Sequence, residues 1–217
     1  MPAPQGTMQL HWSSRSPFVR KVMVSAYELA LADKIERIPT RVAPTQPNDE
    51  VVRDNPLVKI PALTTDDGLV IYDSPVICEY LDTLAGGGKL FPRDGKARWL
   101  ALRQQALGDG ILDAGILARY EQLRPREHQW QEWIDAQMRK VRGALSALEM
   151  ECESGDLAAP AENAPALIGH IAIGCALGWL DFRYPNEIWR ERHRSLATWY
   201  DGFGRRRAMQ ETAPKDA

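Results

Sequence analysis

The sequence predicts an α/β domain followed by an all-helical domain. Strand-like and helix-like patterns alternate from Met8 to Leu84, whereas every substantial segment after the glycine-rich stretch 86–96 has a helical pattern. That stretch, GGGKLFPRDGK, has the composition of a domain boundary. We therefore assign residues 8–84 to the first domain, 85–93 to a linker, 94–208 to the helical domain and 209–217 to a loose tail.

The first domain has the predicted order β-α-β-α-β-β-α. The turn Asp66-Asp67-Gly68 between two short β-rich runs indicates a hairpin, and Gly86 stops the last helix. In chain order the elements are the strand MQLHW, the helix SPFVRKVMVSAYELAL, the strand KIERIPTRV, one helical turn over 49–54, the hairpin IPALTTDDGLVIY and the helix SPVICEYLDTLA.

The second domain is predicted to be a helical bundle. Apolar residues between Trp130 and Leu148 follow i, i+3 and i+4 steps along one helix face. The segment IGHIAIGCALGWLDF is apolar on nearly all sides, which is typical of a central buried helix.

Composition excludes several classes of function. The 217 residues carry a formal net charge of −2, so nothing favours nucleic acid or an anionic membrane as a partner. No apolar run reaches the length of a membrane span, and we expect a cytoplasmic protein. The three cysteines form no CxxC and are expected to be reduced, and the four histidines lack the spacing of a metal site.

Ser-Pro precedes a predicted helix twice, as Ser16-Pro17 and Ser74-Pro75. In each pair we expect serine at the N-cap and proline in the first helical position, where its missing N–H costs nothing. A helix N-terminus also binds anions, because its first N–H groups have no partner within the helix. Two such ends in one small domain are suited to one ligand that carries two negative groups.

The segment NPLVKIPAL lies between these two helix starts. Pro61 enters a hairpin strand and cannot donate to a ladder, so it must lie at an edge. Two alternatives stay open: an ordinary trans edge proline, or a cis bond that would expose the backbone groups of Ile60 to a ligand.

Taken together, these residues resemble the glutathione transferase family. SSRSPFVRKV resembles its first strand-to-helix turn, NPLVKIPAL its cis-proline segment and DSPVICEYLD the helix start that binds the γ-glutamyl group. GILDAGILARYE, EWIDAQMRKVRGALSALE and HIAIGCALGWLDFRYP resemble its helical domain. The resemblance implies a thioredoxin-like N-terminal domain, an all-α C-terminal domain, glutathione as co-substrate and a homodimer.

The resemblance also implies roles for individual residues. Ser16 is similar to the hydroxyl that donates to the glutathione sulfur, and Ser14 and Ser13 are further candidates because some members use an earlier hydroxyl. The expected glutathione-binding residues are Lys59 at the glycine carboxylate, Ile60 and Pro61 at the cysteinyl unit, and Asp73 and Ser74 at the γ-glutamyl end.

Two features depart from the family pattern. The serine turn has Arg15 and no cysteine, which argues against disulfide-exchange chemistry. The usual capping box of the buried helix is replaced by Leu167 and His170, which either lowers stability or means that Asn163 starts the helix.

Two functions remain open from the sequence. The first is an enzyme of detoxification that joins the glutathione thiolate to a small electrophile, and the second is a non-catalytic module that binds glutathione or a protein. For the enzyme, the expected acceptor pocket lies between the domains and is lined by Trp12, Ser14, Ile111, Gly115 and Tyr120.

Overall fold

The structure, a computed structural model, describes residues 6–161 and 163–216. The first domain contains a four-stranded sheet in the order β2-β1-β3-β4, with β1 and β2 parallel and the β3–β4 hairpin antiparallel to β1. Its elements are β1 (Met8–Trp12), α1 (Pro17–Glu28), β2 (Ile35–Pro39), α2 (Asp49–Asp54), β3 (Leu63–Thr64), β4 (Val70–Ile71) and α3 (Ser74–Leu84). The predicted element order is confirmed.

Local sequence explains the ends of these elements. Ser16 caps α1, Pro17 occupies its first position, and the helix ends before Ala30, whose φ is 57°. Gly68, with φ of 86°, permits the turn of the β3–β4 hairpin. Gly86, Gly87 and Gly88 follow α3 and all have positive φ, a backbone conformation that does not continue a helix.

The second domain is entirely helical within the described residues. Its helices are α4 (Gly95–Gln122), α5 (Gln131–Ser154), α6 (Ile168–Arg183), α7 (Trp189–Arg192), α8 (Arg194–Phe203) and α9 (Arg207–Glu211). Every residue from Ile168 to Leu180 is buried, so the prediction of a central buried helix is confirmed. The fold class predicted from the sequence is correct.

The start of α6 corrects one expectation. The helix begins at Ile168, so Asn163 does not start it, and Leu167 supplies no side-chain cap. The first domain and the linker support this helix start instead. The Glu28 carboxylate accepts a hydrogen bond of 3.0 Å from the Ala166 N–H, and the Leu90 carbonyl accepts one of 2.9 Å from the Ile168 N–H.

The end of the chain also differs from the expected loose tail beginning at residue 209. Helix α9 extends to Glu211, and Ala208 and Met209 are buried. Within residues 212–216, the Lys215 carbonyl contacts Ser14 and the Asp216 side chain contacts Arg15, both in the first domain. None of the described helices is both long and apolar enough to cross a membrane.

Candidate functional site

Sheet topology brings the three predicted ligand-binding segments to one edge. Strand β1 runs toward this edge and is followed by the serine turn 13–16. Because β3 is antiparallel to β1, the Ile60-Pro61 segment enters the sheet at the same edge. Strand β4 is antiparallel to β3 and therefore ends there, two residues before Asp73. Strand β1 and the Pro61 segment are joined by a hydrogen bond of 3.0 Å from the His11 N–H to the Ala62 carbonyl.

Ser16 caps α1, as expected. Its hydroxyl oxygen accepts a hydrogen bond of 3.2 Å from the Val19 N–H. A hydroxyl has one donor in addition to its lone pairs, so the proton of Ser16 is left for a ligand. No other hydrogen bond of this hydroxyl occurs among the described residues.

The other two hydroxyls of the turn have different partners. The Ser14 hydroxyl donates to the Lys215 carbonyl at 2.9 Å, so its proton is engaged by the end of the chain. The Ser13 hydroxyl accepts a long hydrogen bond of 3.4 Å from the Arg15 N–H. The structure therefore separates three candidates that the sequence left close together. The hydroxyl protons of Ser13 and Ser16 make no hydrogen bond among the described residues, whereas that of Ser14 is donated to Lys215.

A buried asparagine shapes the loop before the proline. Asn55 is 2% exposed, and its side chain donates to the Lys59 carbonyl at 2.9 Å and accepts from the Leu57 N–H at 3.0 Å. The Ile60–Pro61 bond is cis. Within the described part of the chain, the N–H and carbonyl of Ile60 make no backbone hydrogen bond. The loop thus presents open main-chain groups at the sheet edge, with the exposed Lys59 beside them.

The start of α3 corrects the capping expectation for Ser74. Asp73 occupies the N-cap position, Ser74 is the first helical residue, and no side chain caps the helix. The Tyr72–Asp73 bond is cis. Ser74 is 2% exposed, and its hydroxyl has no hydrogen-bond partner among the described residues. The first backbone N–H to bond within the helix is that of Ile77, so this N-terminus is open to an anion.

Acidic side chains of α4 lie near charged groups of the first domain. The Lys21 ammonium on α1 contacts both carboxylate oxygens of Asp109 on α4, at 2.7 and 2.6 Å. Burial raises the pKa of Asp109, and the charge of Lys21 opposes that rise. Burial likewise raises the pKa of Asp113, while the charges of Lys59 and Lys21 lower it and that of Asp73 raises it. Acidic groups of α4 therefore lie close enough to Lys59 and Asp73 for their charges to interact.

Two of the expected acceptor-lining residues lie elsewhere. Ile111 is 1% exposed and belongs to the core, and Gly115 packs so closely on α6 that an added Cβ would lie 2.7 Å from Trp179. Both positions serve the contact between α4 and α6. Trp12 is half-buried beside the serine turn and Tyr120 is 42% exposed, so these two remain accessible.

None of the cysteines supplies a reactive thiol at this edge. Cys78 and Cys175 are buried, and burial raises the pKa of Cys78 to about 12 and that of Cys175 to about 11. Cys152 is half-buried, and burial raises its pKa to about 12. Since the thiolate is the nucleophilic form, a thiol at this site must come from a ligand.

Sequence reasoning did not predict that Asn55 shapes the loop before Pro61, nor that Lys21 pairs with Asp109 between the domains. Asn55 begins the segment NPLVKIPAL, but no local pattern shows that its side chain bonds the Lys59 carbonyl, and the partner of Lys21 is 88 residues away along the chain. The one available signal was a lysine inside the apolar run of α1, which is unusual on a buried face.

Comparison with known proteins gives the family. Residues 15–84 match the N-terminal domain family of glutathione S-transferases, and residues 131–202 match the C-terminal domain family. An uncharacterized GST-like protein of Escherichia coli K12, YibF, is 31% identical over 211 residues, covering 97% of this chain and 100% of the relative.

Solved structures agree over nearly the whole chain. A glutathione transferase family member from Pseudomonas fluorescens Pf-5 with bound glutathione is 42% identical, with a TM-score of 0.88 and coverage of 97% of this chain and 100% of the other. A structure from the same organism with bound S-(propanoic acid)-glutathione is 41% identical, with a TM-score of 0.83 and coverage of 96% and 100%. With both domain families matched in order and relatives aligned end to end, this chain belongs to the glutathione S-transferase family.

Proposed function

We propose that this protein binds glutathione and joins its thiolate to a small electrophile. The observation that carries the proposal is the open N-terminus of α3, which lies at the same sheet edge as the available proton of Ser16. The bound glutathione in the Pseudomonas relative supports the ligand. The site then holds an anion at one helix start and a sulfur at the other.

Each part of glutathione has a group suited to it. The γ-glutamyl carboxylate fits the unpartnered N–H groups and the hydroxyl of Ser74 at the start of α3, with Asp73 available for its ammonium group. The cysteinyl main chain fits the open N–H and carbonyl of Ile60, and Lys59 is available for the glycine carboxylate. These assignments are the ones that the family resemblance implies for the same residues.

The proposed chemistry starts from a free thiol with a pKa of about 8.5. Donation from Ser16 and the positive end of α1 favour the thiolate, which lowers that pKa toward neutrality. The thiol proton passes to solvent, the sulfur lone pair attacks the electrophilic carbon and a C–S bond forms. Either a leaving group departs with its bonding electrons, or the carbanion formed by conjugate addition takes a proton from solvent.

The function is tested by calorimetric titration with glutathione followed by a panel of electrophiles. We expect saturable binding and glutathione-dependent loss of at least one electrophile. Binding without turnover on any acceptor would favour the alternative, a non-catalytic glutathione-binding module. Absence of glutathione binding would contradict both of these functions and leave a non-catalytic protein-binding module as the alternative. We also propose a cytoplasmic location and a role in detoxification, and the latter requires that turnover be found.

We further propose a homodimer, as the family resemblance implies. Exposed apolar side chains lie on the outer surface of the first domain and at the start of α4, with Leu69 56%, Val76 49% and Trp99 69% exposed. Their burial between two copies would remove this apolar area from water. Light scattering at micromolar concentration should give twice the 24.4 kDa chain mass. Val76→Glu should yield monomers, and the control Ile188→Glu on the second domain should not.

A further inference from the structure

Residues 212–216, here called the strap, run from the end of α9 to the serine turn. Arg20, one helical turn after Ser16, holds the start of the strap. Its guanidinium donates to the Met209 carbonyl at 3.1 Å and to the Thr212 hydroxyl at 3.4 Å. At the other end the Ser14 hydroxyl donates to the Lys215 carbonyl at 2.9 Å. The strap therefore lies against the turn that carries the candidate thiol donors.

The strap places one carboxylate between two arginines from different domains. Oδ1 of Asp216 lies 3.0 Å from Nη1 of Arg183, at the end of α6, and 3.7 Å from Nε of Arg15, in the serine turn. The Arg183 side chain is 12% exposed, and its guanidinium lies 3.8 Å from the centre of the Phe182 ring. Arg183 is thus held in position by packing as well as by charge.

The carboxylate in this arrangement is far less buried than its main partner. The Asp216 side chain is 66% exposed, and ion pairs with such exposure contribute little to stability. Guanidinium groups, in contrast, are well suited to carboxylates because their N–H donors form a planar fork. A ligand carboxylate can therefore replace Asp216 at small cost to the fold.

We infer that Arg15 and Arg183 form a carboxylate-binding subsite on the acceptor side, which Asp216 of the strap occupies until a carboxylate on the acceptor displaces it. The inference rests on the proposed function and names its substrate class: electrophiles whose glutathione adduct carries a carboxylate near the sulfur. The two carboxylates of glutathione itself already have assigned groups, at the start of α3 and at Lys59. The arginine subsite is therefore a third anion position, next to the turn that holds the sulfur.

Calorimetry with a matched pair of adducts tests the subsite without requiring turnover. The probes are glutathione, S-(2-carboxyethyl)glutathione and its neutral isostere S-(2-carbamoylethyl)glutathione. Asp216→Asn removes the internal competitor and should tighten binding of the carboxyethyl adduct roughly three- to tenfold. Arg183→Gln should weaken it by a similar factor. Arg192→Gln, an exposed arginine on α7, is the control and should change neither.

Affinity for glutathione and for the carbamoyl adduct should stay within about twofold of wild type in all variants, because neither places a carboxylate in the subsite. Equal affinity for the two adducts in wild type and in Asp216→Asn would overturn the inference. A loss of glutathione affinity in Arg183→Gln equal to that of the carboxyethyl adduct would also overturn it, since the arginines would then hold a carboxylate of glutathione.

A second measurement separates failure of the subsite from failure of the proposed function. Amide chemical shifts of the strap are followed by NMR in propanoate and in propanamide, with no glutathione present. Propanoate should shift the Lys215 and Asp216 resonances in a saturable way, because displacement of the Asp216 carboxylate changes their surroundings, and propanamide should not. If both compounds act alike, the subsite is excluded whether or not glutathione binds. If propanoate alone opens the strap and glutathione does not bind, the subsite stands and the proposed function fails.

Discussion

Two serines at helix starts differ in the hydrogen bonds that their hydroxyls make within the protein. Ser16 accepts from the Val19 N–H and has a proton to donate, whereas Ser74 has no partner among the described residues. A donor to sulfur matters most when charge develops on the sulfur, while a group that binds the γ-glutamyl carboxylate acts equally before and during the reaction. The two residues should therefore affect different kinetic quantities.

We expect Ser16→Ala to raise the pKa of the bound thiol and to lower turnover. One charge-assisted hydrogen bond contributes about 1.5 to 3 kcal/mol, which corresponds to a roughly ten- to hundredfold loss of rate. Glutathione affinity should change little. Ultraviolet titration of the bound thiolate measures the pKa, and steady-state kinetics measure the rate. The matched variant Ser74→Ala should weaken glutathione binding and leave the thiol pKa unchanged.

The same titration decides among the three hydroxyls of the turn. Ser14→Ala should leave the thiol pKa unmoved, since the Ser14 proton is donated to Lys215. A shift in Ser13→Ala with none in Ser16→Ala would contradict the assignment and make Ser13 the donor. Loss of stability alone in Ser16→Ala, by about 1 kcal/mol, would reduce Ser16 to a helix cap.

His170 should make stability depend on pH. It is 8% exposed, its Nδ1 has no hydrogen-bond partner among the described residues, and burial together with the charge of Arg206 lowers its pKa to about 4. The unfolded chain, with a histidine pKa of about 6.5, then binds more protons than the native state between these values. The contribution is complete above pH 6.5 and is lost as pH falls toward 4.

The expected loss from His170 between pH 7 and pH 5 is about 2 kcal/mol. Urea unfolding at both pH values measures it. The variant His170→Phe lacks the titrating group, so its stability should fall by about 2 kcal/mol less over the same interval. An identical pH dependence in wild type and variant would show that His170 does not carry this effect.

At the scale of elements, glycine determines how closely α4 and α6 approach. A Cβ on Gly108 would lie 2.7 Å from the backbone carbonyl carbon of Ala172, whereas a Cβ on Gly110 would have nothing within 4 Å. Both glycines lie inside α4, where alanine is favoured over glycine by about 1 kcal/mol. Alanine substitution at the two positions therefore distinguishes the effect of helix propensity from the effect of packing.

We expect Gly110→Ala to stabilise the protein by about 0.5 to 1 kcal/mol and Gly108→Ala to destabilise it by about 1 to 3 kcal/mol. The clash at Gly108 is with backbone, which cannot rotate away as a side chain can. Denaturant unfolding of both variants checks the pair. Stabilisation by Gly108→Ala would show that α6 shifts freely against α4.

Elements with a strong local pattern were predictable from the sequence. The order of the first domain, the buried α6 and the cap of α1 follow from hydrophobic spacing and from Ser-Pro. The short helix α9 and the strap were not predictable, because long-range contacts such as that between Arg20 and the Met209 carbonyl hold them in place. The start of α3 was misplaced by one residue, since Asp73 and Ser74 are both good N-cap residues.

The candidate site was predictable only in part, for a similar reason. The motifs identify Ser16, Ile60 and Ser74. The sheet topology, which follows from the order of the elements, brings these residues to one edge. Helical spacing could not show that Ile111 faces the core, since α4 is apolar on several sides and packs against two helices. Contacts between domains, such as Arg183 with Asp216, leave no local pattern.

At the scale of the whole molecule, a buried ion pair joins the two domains. The Lys21 side chain is 0% exposed and the Asp109 side chain 17%, with their closest atoms 2.6 Å apart. Two ions removed from water are costly, and their mutual attraction offsets that cost only while both are present. The pair therefore adds little to stability, but it limits the replacements that the domain interface tolerates, because loss of one partner leaves the other charge buried.

We expect Lys21→Met to destabilise the protein by about 3 to 5 kcal/mol at pH 7, because it leaves Asp109 buried without a counter-charge. Burial already raises the pKa of Asp109 with Lys21 present, and losing the lysine raises it further. A native carboxyl pKa above the unfolded value means that the native state binds more protons, so this variant should regain stability as pH falls from 7 to 5. The double variant Lys21→Met/Asp109→Leu should recover most of the loss at pH 7, since no charge remains buried. Urea unfolding of the three proteins at both pH values measures these differences. A double variant as unstable as Lys21→Met would mean that the lysine stabilises the interface through its packing and not through its charge.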